Sequence, residues 1–186
     1  MKPNVAVHLA EGFEEIEAVS IIDVLRRADI ETIVVSVSGS LDVTGAHGLG
    51  IKADKLFEEI DYKNTEMIIL PGGMPGASNL NDHSGLRSKI KEFNKEGKPL
   101  GAICAAPMVF GSTGVIQDKN ATCFPGFEDR LTGAKVTGSE VEVAGKIVTG
   151  KGPGVAIKFA LQIVEMLKGK KVRDEVAEKM IYPPTP

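Results

Sequence analysis

The sequence predicts an α/β fold, a three-layer sandwich in which a mostly parallel sheet carries helices on both faces. Three observations lead there. Short apolar runs without in-and-out alternation recur at 4–10, 66–70 and 100–103, and strands buried on both faces read that way. Stretches with helical spacing of apolar residues separate them, the alternation typical of parallel sheets. Glycine-rich turns follow strand ends, as at Gly72-Gly73 and Gly150–Gly154, and in such folds ligands bind at those carboxyl ends.

The first strand runs from Asn4 to Ala10, with His8 inside it as a packed core histidine. Glu11-Gly12 turns the chain into a helix over Glu14–Ala28, stopped at Asp29. Its apolar side holds Ala18, Ile21, Ile22, Val24 and Leu25; its polar side holds Ser20, Asp23, Arg26 and Arg27. Glu14, Glu15 and Glu17 open this helix. The helix dipole favours acidic residues there, which accounts for at least two of them. None sits at the centre of the polar face, so at least one carboxylate should face the sheet edge; periodicity does not say which. Ile30–Val37 is a β-branched second strand. Ser38–Gly50 is a polar loop with room for a short edge hairpin, and its His47 reads as an exposed, solvated histidine rather than a site residue. Ile51–Ile60 supplies one short strand or turn and a few helical residues, and Glu66–Leu70 is the next buried strand.

Pro71-Gly72-Gly73-Met74-Pro75-Gly76 follows at once. Adjacent glycines permit a backbone twist that other residues resist and let N–H groups approach a ligand. The segment is either a plain turn or an oxyanion donor. It is no phosphate loop, because the Lys-Ser/Thr ending is absent. Asn79–Asn81 should cap a helix over Ser84–Glu96, with Leu86, Ile90 and Phe93 on one face and His83 at the surface. Gly97-Lys98 ends it.

Leu100–Ile103 is a central strand that runs straight into a helix, with Pro107 in the first turn, where a missing N–H costs nothing. Cys104 stands at the corner. A nucleophile on such a turn projects over the sheet edge, and the helix N-terminus behind it favours a thiolate and later an oxyanion. The alternative is a small thiol filling a core corner. Ala106 departs from the usual elbow, which has Gly two places after the nucleophile. Phe110–Val115 closes this helix, and Ala121–Pro125 is a strand end whose Cys123 is either an inert half-buried thiol or a second redox thiol near Cys104. Phe127–Leu131 is a short helical turn. Val136–Thr149 reads as two strands split at Ala144-Gly145, Val155–Leu167 as an apolar-faced helix ended by Gly169, and Val172–Met180 as a last short helix.

The chain has 186 residues, 42% apolar and 25% charged, with a net charge of -3. That suits one soluble domain. Basic residues form no long run, which argues against nucleic acid or an anionic membrane surface as partner. No apolar stretch approaches a spanning length. The start, Met1-Lys2-Pro3-Asn4, has no signal-peptide pattern, and two cysteines make no disulfide framework, so a reducing cytoplasm is the expected setting. The histidines and cysteines lack metal-ligand spacing, and no cofactor is expected.

Gly12–Glu17, Leu70–Gly73, Ala102–Pro107 and Gly152-Pro153-Gly154 together resemble the ThiJ/PfpI superfamily, in the branch of the parkinsonism-associated protein deglycase and its bacterial relatives. The resemblance spans the chain in order. It implies a flavodoxin-like sandwich, one domain over 1–182 with a Pro-rich tail at 183–186, and a homodimer. It implies Cys104 as the reactive thiol, Glu17 as its hydrogen-bonding carboxyl, and the N–H groups of Gly73 and Ala105 as an oxyanion site. The implied activity is cysteine chemistry on small reactive aldehydes such as methylglyoxal or fresh glycation adducts; redox sensing or a stress-chaperone role through oxidation of Cys104 is the alternative. Some members place a histidine near the cysteine where this chain has Phe124, and protease-like members place one where it has Ala105. Without that imidazole, peptidase and amidotransferase chemistry lacks a visible base.

Overall fold

A computed structural model describes residues 4–183; of the expected tail, 184–186 lie outside them. In chain order the elements are β1 (Asn4–Leu9), α1 (Glu15–Arg27), β2 (Thr32–Ser36), β3 (Asp42–Thr44), β4 (Gly50–Lys52), β5 (Lys55–Leu56), β6 (Thr65–Leu70), α2 (Gly76–Asp82), α3 (Ser84–Lys95), β7 (Leu100–Ile103), α4 (Pro107–Thr113), β8 (Asn120–Ala121), β9 (Lys135–Val136), β10 (Val141–Ala144), β11 (Ile147–Gly150), α5 (Ala156–Lys168) and α6 (Lys170–Lys179). Seven strands form the main sheet in the order β10-β11-β7-β6-β1-β2-β5. All neighbours are parallel except the hairpin β10–β11. The helices pack as two groups, α1 with α5 and α6, and α2 with α3 and α4. The fold is the helix-covered, mostly parallel sheet that the alternating pattern predicts, and the flavodoxin-like sandwich that the resemblance implies.

The continuous apolar runs are the sheet's centre. Every residue of β1, β7 and β11 is buried, because helices cover the sheet and no strand face meets water. His8 is fully buried in β1, where its Nε2 pairs with the Tyr62 hydroxyl at 2.8 Å. Burial holds its pKa down at about 3, so it is a neutral core histidine. On α1 the expected apolar face is buried, but Ile16 and Val19 remain outside it, exposed.

Four expectations need correction. Asn79–Asn81 is not a cap: these residues lie inside α2, and the Asn79 amide donates to the Glu11 carbonyl at 2.9 Å. The cap of α3 is His83, half-buried rather than at the surface, whose Nδ1 accepts the Leu86 N–H at 3.0 Å. An imidazole acceptor can do the work usually left to Ser, Thr, Asp or Asn. The stretch 136–149 is not simply two strands. Its start belongs to β9, which pairs in parallel with β8 apart from the main sheet, and only β10 and β11 make the hairpin. Finally, 51–60 is the end of β4, then β5, then a 3-10 turn over Phe57–Glu59. The edge hairpin of the 38–50 loop is present as antiparallel β3–β4.

Candidate active site

Cys104 leaves β7 and precedes α4, the strand-to-helix corner predicted for it. Its φ is +65°, a left-handed conformation that costs a non-glycine residue about 1–2 kcal/mol. Two backbone bonds hold it there: the Cys104 N–H donates to the Gly150 carbonyl at 2.9 Å, and its carbonyl accepts the Phe124 N–H at 2.8 Å. Pro107 occupies the first position of α4, where its ring costs no hydrogen bond.

The structure brings Glu17, Gly73 and Ala105 to this sulfur. The Glu17 carboxyl and the N–H groups of Gly73 and Ala105 are close enough to act on the charge of the Cys104 thiol. Glu17 is therefore the carboxylate that faces the sheet edge, and it is wholly buried. Its Oε2 accepts the Gly72 N–H at 2.7 Å. Its Oε1 is buried and has no hydrogen-bond partner among the described residues. The other two acids have structural posts. Glu14 caps α1, with its Oε2 accepting the Glu17 N–H at 2.7 Å. Glu15 holds the hairpin loop: its Oε1 accepts the His47 N–H at 2.6 Å, and its Oε2 pairs with the His47 ring at 2.8 Å.

The glycines are required here. A Cβ on Gly72 would stand 2.6 Å from the Cys104 Cβ and 2.9 Å from Glu17 Oε2. Gly73 has φ +88°, and a Cβ there would collide with the Glu14 nitrogen. The pair is thus more than a plain turn, because no side chain fits where the strand end, α1 and Cys104 converge.

The electrostatics differ from a simply acidified thiol. Burial raises the Glu17 carboxyl to about 7; the Gly72 N–H and the thiol pull it back, and the Glu14 charge pushes it up. Burial also pushes the Cys104 thiol up to about 12, with the nearby Glu17 carboxyl adding to the rise and the Gly73 and Ala105 amides opposing it. The helix terminus and amides alone do not make this sulfur acidic. The pair is coupled: a thiolate is disfavoured while Glu17 is charged, and that repulsion vanishes when Glu17 holds the proton. Cys104 is 8% exposed, so little of the residue meets solvent.

His47 lies apart from the sulfur as an exposed partner of buried Glu15. Burial would raise the Glu15 carboxyl, but hydrogen bonds from the His47 ring, from backbone N–H groups of His47 and from Leu49 outweigh it, and the carboxyl sits below its ordinary range. Glu14, Glu15 and His47 place potential ligand atoms within 4.8 Å of one another, a grouping that linear spacing does not reveal. Oxygens of both acids already accept the hydrogen bonds described, so the group reads as a clasp on the loop. Cys123 is buried rather than half-buried, and its thiol is raised to about 11, mainly by burial. Sequence reasoning missed the Gly72 N–H on Glu17 and the Glu14 cap. A carboxylate three residues before a buried one, at a helix start, was the available signal.

The DJ-1/PfpI family profile matches residues 3–166, and the chain belongs to that family. It is 39% identical over 185 residues to Protein DJ-1 homolog B of Arabidopsis thaliana, covering 98% of this chain and 42% of that protein; the chain thus spans less than half of that plant relative. It is 35% identical over 161 residues to the glutathione-independent glyoxalase DJR-1.2 of Caenorhabditis elegans, covering 86% of this chain and 85% of that one. The solved structure of oxidized Toxoplasma gondii DJ-1 superposes with a TM-score of 0.94 at 39% identity, covering 98% of this chain and 100% of that one.

Proposed function

We propose that the protein is a cofactor-independent enzyme that converts small α-oxoaldehydes of the methylglyoxal type to hydroxy acids through Cys104 and Glu17. The observation that carries this reading is the convergence of the Cys104 corner, the buried Glu17 carboxyl and the Gly72-Gly73 backbone at one strand end, where burial raises that carboxyl to about 7. A glyoxalase among its relatives supports the substrate class. The sulfur adds to the aldehyde carbon, and the carbonyl electron pair moves onto oxygen, which the Gly73 and Ala105 N–H groups stabilise. The proton held between Cys104 and Glu17 completes the hemithioacetal. Glu17, now a carboxylate, takes the proton from that carbon and returns it to the neighbouring one through an enediol. The product is a thioester. Water cleaves it to the hydroxy acid and frees the thiol, so aldehyde plus water gives product without an oxidant. A carboxyl near 7 suits both directions of transfer at neutral pH. The test is lactate formation from methylglyoxal by the purified protein and by Cys104→Ser. Turnover only in the unsubstituted protein is expected; equal rates would remove Cys104 from the chemistry.

Redox sensing is the second reading, favoured by the same sulfur and by the oxidized state of the Toxoplasma relative. It requires selective peroxide oxidation at Cys104 without aldehyde turnover. A homodimer is part of the proposal. Exposed Ile16 and Val19 on α1 and exposed Leu49 beyond it give two copies an apolar surface to bury.

A further inference from the structure

The geometry points to a subsite for an apolar substituent beside Cys104, with Phe124 as the residue that selects for it. This inference rests on the reading of Cys104 as the attacking group and extends it to what the attacked molecule carries. A recess of about 300 Å³ is lined by Phe124, Pro125, Lys151, Gly152, Pro153 and Val155, and its exposed lining is almost wholly apolar. The recess is attached to the reactive corner on both sides. The Phe124 N–H donates to the Cys104 carbonyl at 2.8 Å, and the Cys104 N–H donates to Gly150, two residues before Gly152, at 2.9 Å. A further bond, from the Thr122 N–H to Thr149 Oγ1 at 3.0 Å, ties the two walls together.

Phe124 is 42% exposed, so its ring is not consumed by the core. The ring lies against Gly152, where an added Cβ would stand 3.1 Å from Cδ2; glycine is what lets the ring approach that wall so closely. The one charged lining residue, Lys151, gives its ammonium to the Gly138 carbonyl at 3.2 Å. The recess therefore offers aromatic and aliphatic surface without a free polar group aimed into it. Its volume suits a substituent rather than a large ligand. An electrophile with a phenyl or branched alkyl group fits better than one with a hydrogen or methyl. One methylene in a hydrophobic pocket is worth at least about ten-fold in discrimination, and an open recess should give a phenyl group about that much.

Two measurements separate the subsite from the aldehyde chemistry. In the first, Cys104 is alkylated with iodoacetamide and with N-benzyl iodoacetamide, each rate normalised to free cysteine and read on the Cys104 peptide. The thiolate displaces iodide and forms the S–CH2 bond in both cases, so the ratio reports only the benzyl group. We expect a ratio near ten, falling several-fold in Phe124→Ser and less in Phe124→Leu, which keeps apolar bulk. In the second, kcat/KM is compared for phenylglyoxal and methylglyoxal in the same three proteins, and the same ordering is expected. Alkylation ratios that are equal in all three proteins overturn the subsite, whatever the turnover. A shifting alkylation ratio with neither aldehyde turned over upholds the subsite and removes the aldehyde reading.

Discussion

Replacing Glu17 with Gln should stabilise the protein above neutral pH and make little difference in acid. The carboxyl moves from 4.5 to about 7 on folding, so the folded chain binds the proton more tightly than the unfolded one. For an acid raised in this way, stability is unaffected below about pH 4.5, falls as pH rises, and reaches its full loss above about 7. The interval corresponds to about 3 kcal/mol at 1.36 kcal/mol per pH unit. Glu17 is fully buried, so solvent screening does not reduce that figure much. Glutamine keeps an acceptor for the Gly72 N–H and carries no charge. The expected result is that Glu17→Gln gains about 3 kcal/mol over the unsubstituted protein at pH 8 relative to its difference at pH 4.5. Urea unfolding across that range measures it. A difference independent of pH would refute the reasoning, because it would mean that Glu17 does not release its proton there and that the sulfur carries the charge instead.

Gly72→Ala should cost about 1–3 kcal/mol as an overpacked site and displace the Cys104 Cβ, which stands 2.6 Å from the new carbon; unfolding and the Cys104 alkylation rate should change together, and an unchanged alkylation rate would show that the corner absorbs the methyl elsewhere. Val19→Glu places a charge on the exposed outer side of α1 and should shift sedimentation from a dimer toward the 19.7 kDa monomer with little effect on fold; a monomer already present without the substitution would sink the dimer.

The sheet was readable because its strands are buried on both faces, which leaves runs such as Val5–Leu9 and Met67–Leu70 with little alternation. The Cys104 corner was readable for a related reason: a small-residue strand, a cysteine and a Pro at the start of a helix leave few other backbone paths. Which of three adjacent glutamates faces the sulfur was not readable from periodicity, since Glu14, Glu15 and Glu17 are all buried and differ only in partners far along the chain. The motif resemblance pointed to Glu17. The misplaced cap at Asn79–Asn81 has a similar origin. Asn is a common cap, but the Asn79 amide is drawn to the Glu11 carbonyl across the fold, and a histidine does the capping four residues on. The thiol's electrostatics are only half legible in the sequence, because local sequence shows the helix terminus but hides the desolvation.

The corner at Cys104 is secured by β11, through Gly150, and by the segment at Phe124, both later in the chain, and its carboxyl partner arrives from the first helix. A ribosome that has released only the first hundred or so residues has therefore made the cysteine but not its surroundings. Until the last parallel strand docks, that thiol has none of its assembled partners and behaves like any other in an unfolded polypeptide. Whatever selectivity the folded corner gives this sulfur is thus confined to the finished molecule, and a chain cut short before residue 150 should carry only an ordinary, unselective thiol.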